Sequence, residues 1–460
     1  MNIKKDLETF IEIFAALRQD EKNNPVTKVH EAEALFQSLN LALRDEPMSD
    51  EDFTETLQAL VLKTPKTSSH RFFNQLFGGR QSRAILGDLL AVVMNTSMYT
   101  YKVGGPQIGV EKAIIRQISD KIGYKEGSGG TFPTGGSMSN FMALVMARDH
   151  FNADIKHSGM QQTLIAYTST ASHYSIDKNA SFAGIGRNNI RHIPTNYRGE
   201  MQLDLLEKQI KNDLAQGLSP FFINATAGTT VLGSTDPLDE IAIICKRYKL
   251  WFHVDAALGG AVMFSRQYKY LLKGGEHSDS FAFNAHKMIG VPLSCSMIMV
   301  RDKAKLYQSF SNDADYLYQG DDDDLNLGKM SLQCGRRNDA LKFWTLWKSV
   351  GTKGLEKIVD HQFELANKAH DYVESHPDYV VYSHRPSVSI CFNYKNIEPK
   401  SLCTALLKEQ QVMVSYGALA DTTFIRLIAV NSNNSVAEFL DFFNILERFV
   451  EQHRSTLGHI

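Results

Sequence analysis

The chain has 460 residues, with 49 Lys plus Arg against 51 Asp plus Glu and a formal net charge of −2. That balance excludes a phosphate-backbone binder, which needs a basic excess, and a composition of 43% apolar and 22% charged residues excludes wholesale disorder. Five cysteines without a CxxC pair or zinc-finger spacing fit a reducing cytoplasm, and no apolar run approaches the roughly 18 residues of a membrane span.

Residues 1–75 are expected to be helical. Leu7, Phe10, Ile11, Ile13 and Phe14 recur near a 3.6-residue period, and 30–42 and 51–62 look similar, until Pro65 and the polar TSS break the pattern. The opening MNIKKDLETFIEIF carries acids within its apolar stretch, unlike a signal peptide. From about 160 to 302, short apolar runs alternate with helix-like stretches. Strands are predicted at 163–169, 189–195, 221–228, 250–257, 280–286 and 294–302, and helices at 175–183, 204–215 and 237–248. This alternation implies an α/β fold with a mostly parallel sheet covered by helices. Segment 311–329, SNDADYLYQGDDDDLNLGK, is predicted as a long exposed loop, because the aspartates 321–324 cannot sit in a core. It reads either as a solvated connection or as a functional lid. A helix at 340–351 with a dense aromatic face follows. VVYSHR, VSICFNY and FIRLIAV then mark the strands of a smaller α+β domain. The chain divides on this reading into an N-terminal helical segment 1–75, a large domain 76–345 and a small C-terminal domain 346–460.

Polar groups at the predicted strand ends carry the chemistry. Asp255 ends the apolar strand LWFHV, and Lys287 follows another strand in NAHK. Both can project from the carboxyl edge of the sheet, where open α/β folds bind ligands. Alone, the pair reads equally well as a salt bridge or as a pyridoxal phosphate site. In the latter, a Lys amine forms a Schiff base with the cofactor aldehyde and an Asp keeps the pyridine nitrogen protonated. TFPTGGSMSN (131–140) places glycines and hydroxyls at a helix start, an anion site with Ser137 and Ser139 as candidate donors, or else an ordinary capped helix. His173 in TSTASHYS lies where an imidazole can stack on a flat ring, and Thr226 in NATAGTT ends a third strand. Four strand ends carrying these groups together are a less plausible coincidence than any one alone. No metal site is expected.

GTFPTGGSMSN, TSTASHYSIDK, FFINATAGTTVLGSTDPLDEIA, WFHVDAALGG and NAHKMIGVPLSCS resemble the group II pyridoxal-phosphate-dependent amino-acid decarboxylases. The likeness is to the branch of glutamate, cysteine sulfinate and aspartate decarboxylases. HRFFNQLFGG, NTSMYTY, LQCGRR and ALKFWTLWKSVGTKG carry it further, over roughly 70–430. The resemblance implies a fold-type-I, aspartate-aminotransferase-like enzyme, working as a homodimer with its active site at the subunit interface. By position, Lys287 holds the cofactor, Asp255 pairs with the pyridine nitrogen, and His173 stacks on the ring. Thr226 and Ala257 lie by the ring, and Ser137, Met138 (through its backbone), Ser139 and Asn284 hold the phosphate. His286 lies beside Lys287. Gln75 and Arg426 match the positions that contact the distal carboxylate of the substrate, for which a guanidinium in the apolar run FIRLIAV is suited.

The implied reaction is α-decarboxylation of glutamate, aspartate or cysteine sulfinate. One departure opens alternatives. Enzymes of the animal branch carry a proton-returning Tyr in a loop before QCGR, but 320–332 has none, and counting back from Gln333 the position falls on Leu325. Tyr316 and Tyr318 lie before the Asp run. Decarboxylation-dependent oxidative deamination, or another substrate such as 2,4-diaminobutyrate, is therefore the alternative expectation. Lys102 stands where the glutamate and cysteine sulfinate enzymes usually have Glu.

Overall fold

A computed structural model describes residues 3–312 and 323–453. Two compact units are formed, one from the described residues of Met1–Gly79, Leu365–Tyr382 and Ile390–Ile460, the other from Arg80–Glu364 and Ser383–Ser389.

The larger unit is built on a seven-stranded sheet. In chain order its strands are β2 (Gly129–Thr131), β3 (Leu164–Ser169), β4 (Ile190–Ile193), β5 (Ser219–Thr226), β6 (Trp251–Ala256), β7 (Ser280–Asn284) and β8 (Ser296–Val300), β1 belonging to the other unit. The spatial order is β2-β8-β7-β6-β5-β3-β4. Strands β3 to β7 pair in parallel, while β8 is antiparallel to both β7 and β2. The fully buried strands β3 and β6–β8 read as near-continuous apolar runs because helices cover both faces of the sheet. The helices Leu203–Ala215 and Leu238–Tyr248 connect successive parallel strands. Helix Gly136–Phe151 buries Met142, Ala143, Leu144, Val145 and Met146 in turn, so it is enclosed on most sides rather than amphipathic.

The smaller unit holds a five-stranded sheet in the order β1-β11-β12-β10-β9. These strands are β1 (Phe72–Phe73), β9 (Tyr379–Val381), β10 (Ser389–Tyr394), β11 (Met413–Leu419) and β12 (Thr422–Ile428). Segment 1–75 and most of 346–460, read separately from sequence, belong to this one unit, while 346–364 and 383–389 belong to the larger one. Strand β1 pairs in parallel with Met413 and Val414, and the Phe73 ring sits edge-on to Phe439 and Phe442 at 5.5 and 5.4 Å. Helix Val436–Gln452, which supplies those rings, opens on a capping box between Ser435 and Glu438. The N-terminal segment forms the helices Ile3–Asn23, Ala32–Gln37 and Asp50–Lys63.

The end of the predicted loop behaves differently from expectation. Tyr316, Tyr318 and the first half of the Asp run lie outside the described residues. Residues 323–330 form two short turns rather than an exposed loop. Leu327 and Asn326 are buried, and Asp324 lies between Lys303 Nζ at 2.7 Å and Lys112 Nζ at 3.2 Å. The Lys303 hydrogen bond, more than any other contact, holds the Asp324 carboxyl below its ordinary range. A side chain at Gly328 would collide with the Tyr99 ring, so glycine is needed for this close approach.

Candidate active site

Parallel pairing brings the carboxyl ends of β5, β6 and β7 to one edge. Thr226 stands opposite Asp255, and Asp255 opposite Ala282, two residues before Asn284. At that edge a cavity of about 190 Å³ is lined by His173, Thr226, Asp255, Ala257, Asn284, His286 and Lys287, among others. Ser137 and Gly136 also line it, at the start of helix Gly136–Phe151. Eight sequence-predicted residues, named above, thus share one space. Ser139 is buried instead, its Oγ 3.0 Å from Ser296 Oγ, and Ser296 in turn donates to Asn284 Oδ1 at 2.5 Å. The Met138 N–H donates to the Gly135 carbonyl within its own turn.

The electrostatics follow from burial. Asp255 Oδ2 accepts from Asn140 Nδ2 at 2.7 Å and Oδ1 from the Ala257 N–H at 3.1 Å. Asp255 and Lys287 form no direct ion pair among the described residues, so the salt-bridge alternative falls away. Burial holds the Lys287 amine below the ordinary lysine range, with the charge of Asp255 acting against it. Burial also lowers His173, whose Nδ1 accepts from the Ser175 N–H at 3.2 Å. His286 is pushed down to about 4, by burial first and by Lys287 second. Thr226 is fixed through its backbone, since its N–H donates to Asp236 Oδ2 at 2.8 Å, and burial raises that Asp236 carboxyl to about 6.

Gln75 and Arg426 belong to the smaller unit. Arg426 lies in β12, 9% exposed, with Nε donating to Ser415 Oγ at 3.1 Å and Nη2 to the Asn74 carbonyl at 3.0 Å. Burial lowers its pKa. Gln75 and Lys102 are exposed.

Sequence reasoning assigned no role to Asn140, Gly228, Thr230 and Leu258, which also line the cavity. Asn140 closes the motif TFPTGGSMSN, and Thr230 closes NATAGTT, so the signal was present but attributed to neighbours. A surface cluster of Asp239, Glu276 and His277 has metal-ligand composition, but Lys273 Nζ already sits 2.5 Å from Asp239.

The cavity fits pyridoxal phosphate on observations of its own. Thr226 Oγ1 is buried without a hydrogen-bond partner and borders the space. A Cβ on Gly136 would lie 2.9 Å from Asn284 Nδ2, so the anion cradle at the helix start closes only around glycine. An amine and a carboxylate face the same space from adjacent strands.

The sequence profile described as the pyridoxal-dependent decarboxylase conserved domain matches residues 33–395, more than half of the chain. The acidic amino acid decarboxylase GADL1 of Mus musculus is 39% identical over 384 residues, covering 82% of this chain and 70% of that protein. The cysteine sulfinic acid decarboxylase of Homo sapiens is 36% identical over 442 residues, covering 91% and 90%. The crystal structure of mouse CSAD superposes with a TM-score of 0.91 at 32% identity, over 97% of this chain and 98% of that one. Among the described residues no helix is long and apolar enough to cross a membrane. With the lysine, the carboxylate and the anion cradle on one sheet edge, the chain belongs to the pyridoxal-dependent decarboxylase family, as a fold-type-I, pyridoxal-phosphate-dependent amino-acid decarboxylase.

Proposed function

We propose that the substrate is an acidic amino acid, which loses its α-carboxylate as carbon dioxide and leaves as the amine. The observation that carries the choice is Arg426, a guanidinium buried in the apolar half of its strand, between Ile425 and Leu427. Its planar donors match a carboxylate or sulfinate better than any neutral side chain. Gln75 is the second candidate for that contact. The names of the similar mouse and human decarboxylases support the same choice.

When bound, pyridoxal phosphate supplies an aldehyde that takes up the amino group and a ring that accepts the electron pair left by carbon dioxide. Lys287 anchors the cofactor, and its lowered pKa raises the share of neutral, nucleophilic amine. Asp255 holds a proton on the ring nitrogen. His173, oriented by the Ser175 N–H, offers a flat face to the ring. Ser137 and Asn284, which line the cavity, hold the phosphate, and Ser139 acts on Asn284 through Ser296. Ala257 steadies Asp255 through its N–H, and Thr226 and His286 border the reacting space.

A screen of carbon dioxide release decides the substrate. Glutamate, aspartate, cysteine sulfinate, 2,4-diaminobutyrate and aromatic amino acids are compared. Turnover of the diamine or the aromatics with all acids silent would overturn the reading. Arg426→Met is expected to lower kcat/KM for the acid by about 30-fold or more, since a buried charge pair loses one partner.

One position favours a second outcome. Leu325, where the resemblance places a proton-returning Tyr, is a hydrocarbon in the turn Asp323–Leu325 and holds no proton to give. A fraction of turnovers is then expected to consume dioxygen, reduced to peroxide, and water, which supplies the carbonyl oxygen, and to end as aldehyde, ammonia and peroxide beside carbon dioxide. Equimolar amine and carbon dioxide with no peroxide excludes it.

We further infer a homodimer in a reducing, cytoplasmic setting. Helix Ser82–Met94 exposes Leu86, Leu90, Val92 and Val93, and helix Ile3–Asn23 exposes Leu7 and Ile11. Apolar faces of this kind are surfaces for a second copy. The division 1–75, 76–345 and 346–460 stands as a proposal about roles, the first segment being the docking one. The five free cysteines support the reducing compartment.

A further inference from the structure

We propose that His253 and Asn140 are positioning residues, forming an oriented hydrogen-bond relay that holds Asp255 from behind. The inference rests on the reading of Asp255 as partner of the cofactor's ring nitrogen.

The relay begins in the strand pattern. Trp251, His253 and Asp255 alternate along β6 and therefore share one face. His253 is registered beside Ser280 on β7. Asn140 reaches them from helix Gly136–Phe151. Asn140 Nδ2 donates to Asp255 Oδ2 at 2.7 Å and to Ser175 Oγ at 3.1 Å. His253 Nε2 lies 3.1 Å from Asn140 Oδ1, and His253 Nδ1 lies 2.9 Å from Ser280 Oγ. The Trp251 indole N–H donates to the same Ser280 oxygen at 2.9 Å.

Valence fixes every direction. An ionised carboxylate only accepts, so Asn140 must turn its NH₂ to Asp255 and its carbonyl to His253. A carbonyl only accepts, so His253 carries its proton on Nε2. Nδ1 then accepts from the Ser280 hydroxyl, whose oxygen takes the Trp251 N–H. His253, Ser280 and Ser175 are fully buried, and Asn140 is 2% exposed. Burial holds the His253 ring below the ordinary histidine range, against the pull of Asp255, and so keeps it neutral.

Packing does not require this arrangement. Apart from the cavity-lining Asn284, apolar residues fill the rest of β6 and β7, and burying polar groups is unfavourable unless each is satisfied. A chain satisfied at every atom rigidifies the group at its end. Here that group is a carboxylate held entirely by neutral donors. Its orientation is fixed while its charge stays uncompensated by any direct ion pair.

Ring ¹⁵N spectra of the cofactor-free protein, assigned with His253→Gln, are expected to show His253 neutral and protonated on Nε2 between about pH 6 and 8. A proton on Nδ1, or titration in that range, overturns the relay. His253→Phe is expected to lower kcat and weaken cofactor binding, read by Trp fluorescence, each by about tenfold or more, with KM for the amino acid within about twofold. His253→Gln, whose amide nitrogen can still donate to Asn140, is expected to recover most of that loss. Equal losses in both variants, or a loss confined to melting temperature, overturn the proposal. If His253→Phe fails to fold, the ¹⁵N spectra of the unaltered protein still decide. If Asp255→Asn leaves kcat and the cofactor absorbance unchanged, the reading of Asp255 has failed, and the tautomer of His253 is judged separately.

Discussion

Lys287→Ala protein is expected to release no carbon dioxide above roughly 10⁻⁴ of the normal rate, and to carry no cofactor after hydride reduction and denaturation. The unaltered enzyme, treated alike, should retain the cofactor on the peptide containing Lys287. The argument is one of supply. Among the described residues no second lysine lines the cavity, so no other amine there can take over the linkage. Stability should move the other way. An amine whose pKa is depressed on folding contributes stability that is present above the ordinary lysine range and lost as pH falls through the folded value. At neutral pH the buried amine of the cofactor-free protein therefore opposes folding. Lys287→Met, which keeps the volume without the charge, should melt no lower than the cofactor-free parent. A retained covalent adduct in either variant would sink the assignment of Lys287. A melting temperature lower by many degrees would show that the amine is a structural element instead.

Strands buried on both faces were the legible part of the fold. Runs such as LWFHV and SMIMV need no alternation to be recognised, and the ends of such runs suggested Asp255 and Lys287 on one sheet edge, with Thr226 at a further strand end. Three strands were not legible. Gly129–Thr131 is short and glycine-rich, and it exists through its register with Ile298–Val300. Phe72–Phe73 pairs with residues near 413, a separation no local pattern reports. Met413–Leu419 has a single buried residue, Val414, among half-buried and exposed positions, so no apolar run or buried–exposed alternation announces it. The site divides in the same way. Lysine, aspartate and histidine are conspicuous beside apolar runs. Asn140 is not, because its partners Asp255 and His253 lie 115 and 113 residues away. Ser139 was read as a phosphate donor from the motif at the helix start and from the family resemblance, but the phase of its helix turns the hydroxyl to Ser296. The segment with the Asp run was read as an exposed loop, either a solvated connection or a lid, because single-sign charge favours water. Two lysines distant in sequence from Asp324, or on the far side of a loop, supply what a local reading cannot see.

Asp255→Asn is expected to lower kcat by about 10²–10³-fold or more while lowering the melting temperature of the cofactor-free protein by only a few degrees. The two effects have different origins. In the native site both carboxylate oxygens accept a hydrogen bond, one from Asn140 and one from the Ala257 N–H. An amide has one oxygen, so whichever way it turns, one N–H faces another N–H. Such a mismatch costs about 1–3 kcal/mol, which sets the modest thermal loss. Catalysis loses more, because a neutral amide cannot hold a proton on the ring nitrogen, and the ring then accepts the released electron pair poorly. The separation is measurable. Rates taken well below the melting transition remove the stability component, and the deficit in kcat should persist there. A deficit that vanishes on cooling, or a kcat within about threefold of the parent, would mean that Asp255 only fills and orders the strand end. Asn140→Leu removes one donor and keeps the charge, and it should therefore fall between the parent and Asp255→Asn in kcat. That ordering distinguishes a carboxylate that acts by its charge from one that acts by its fit.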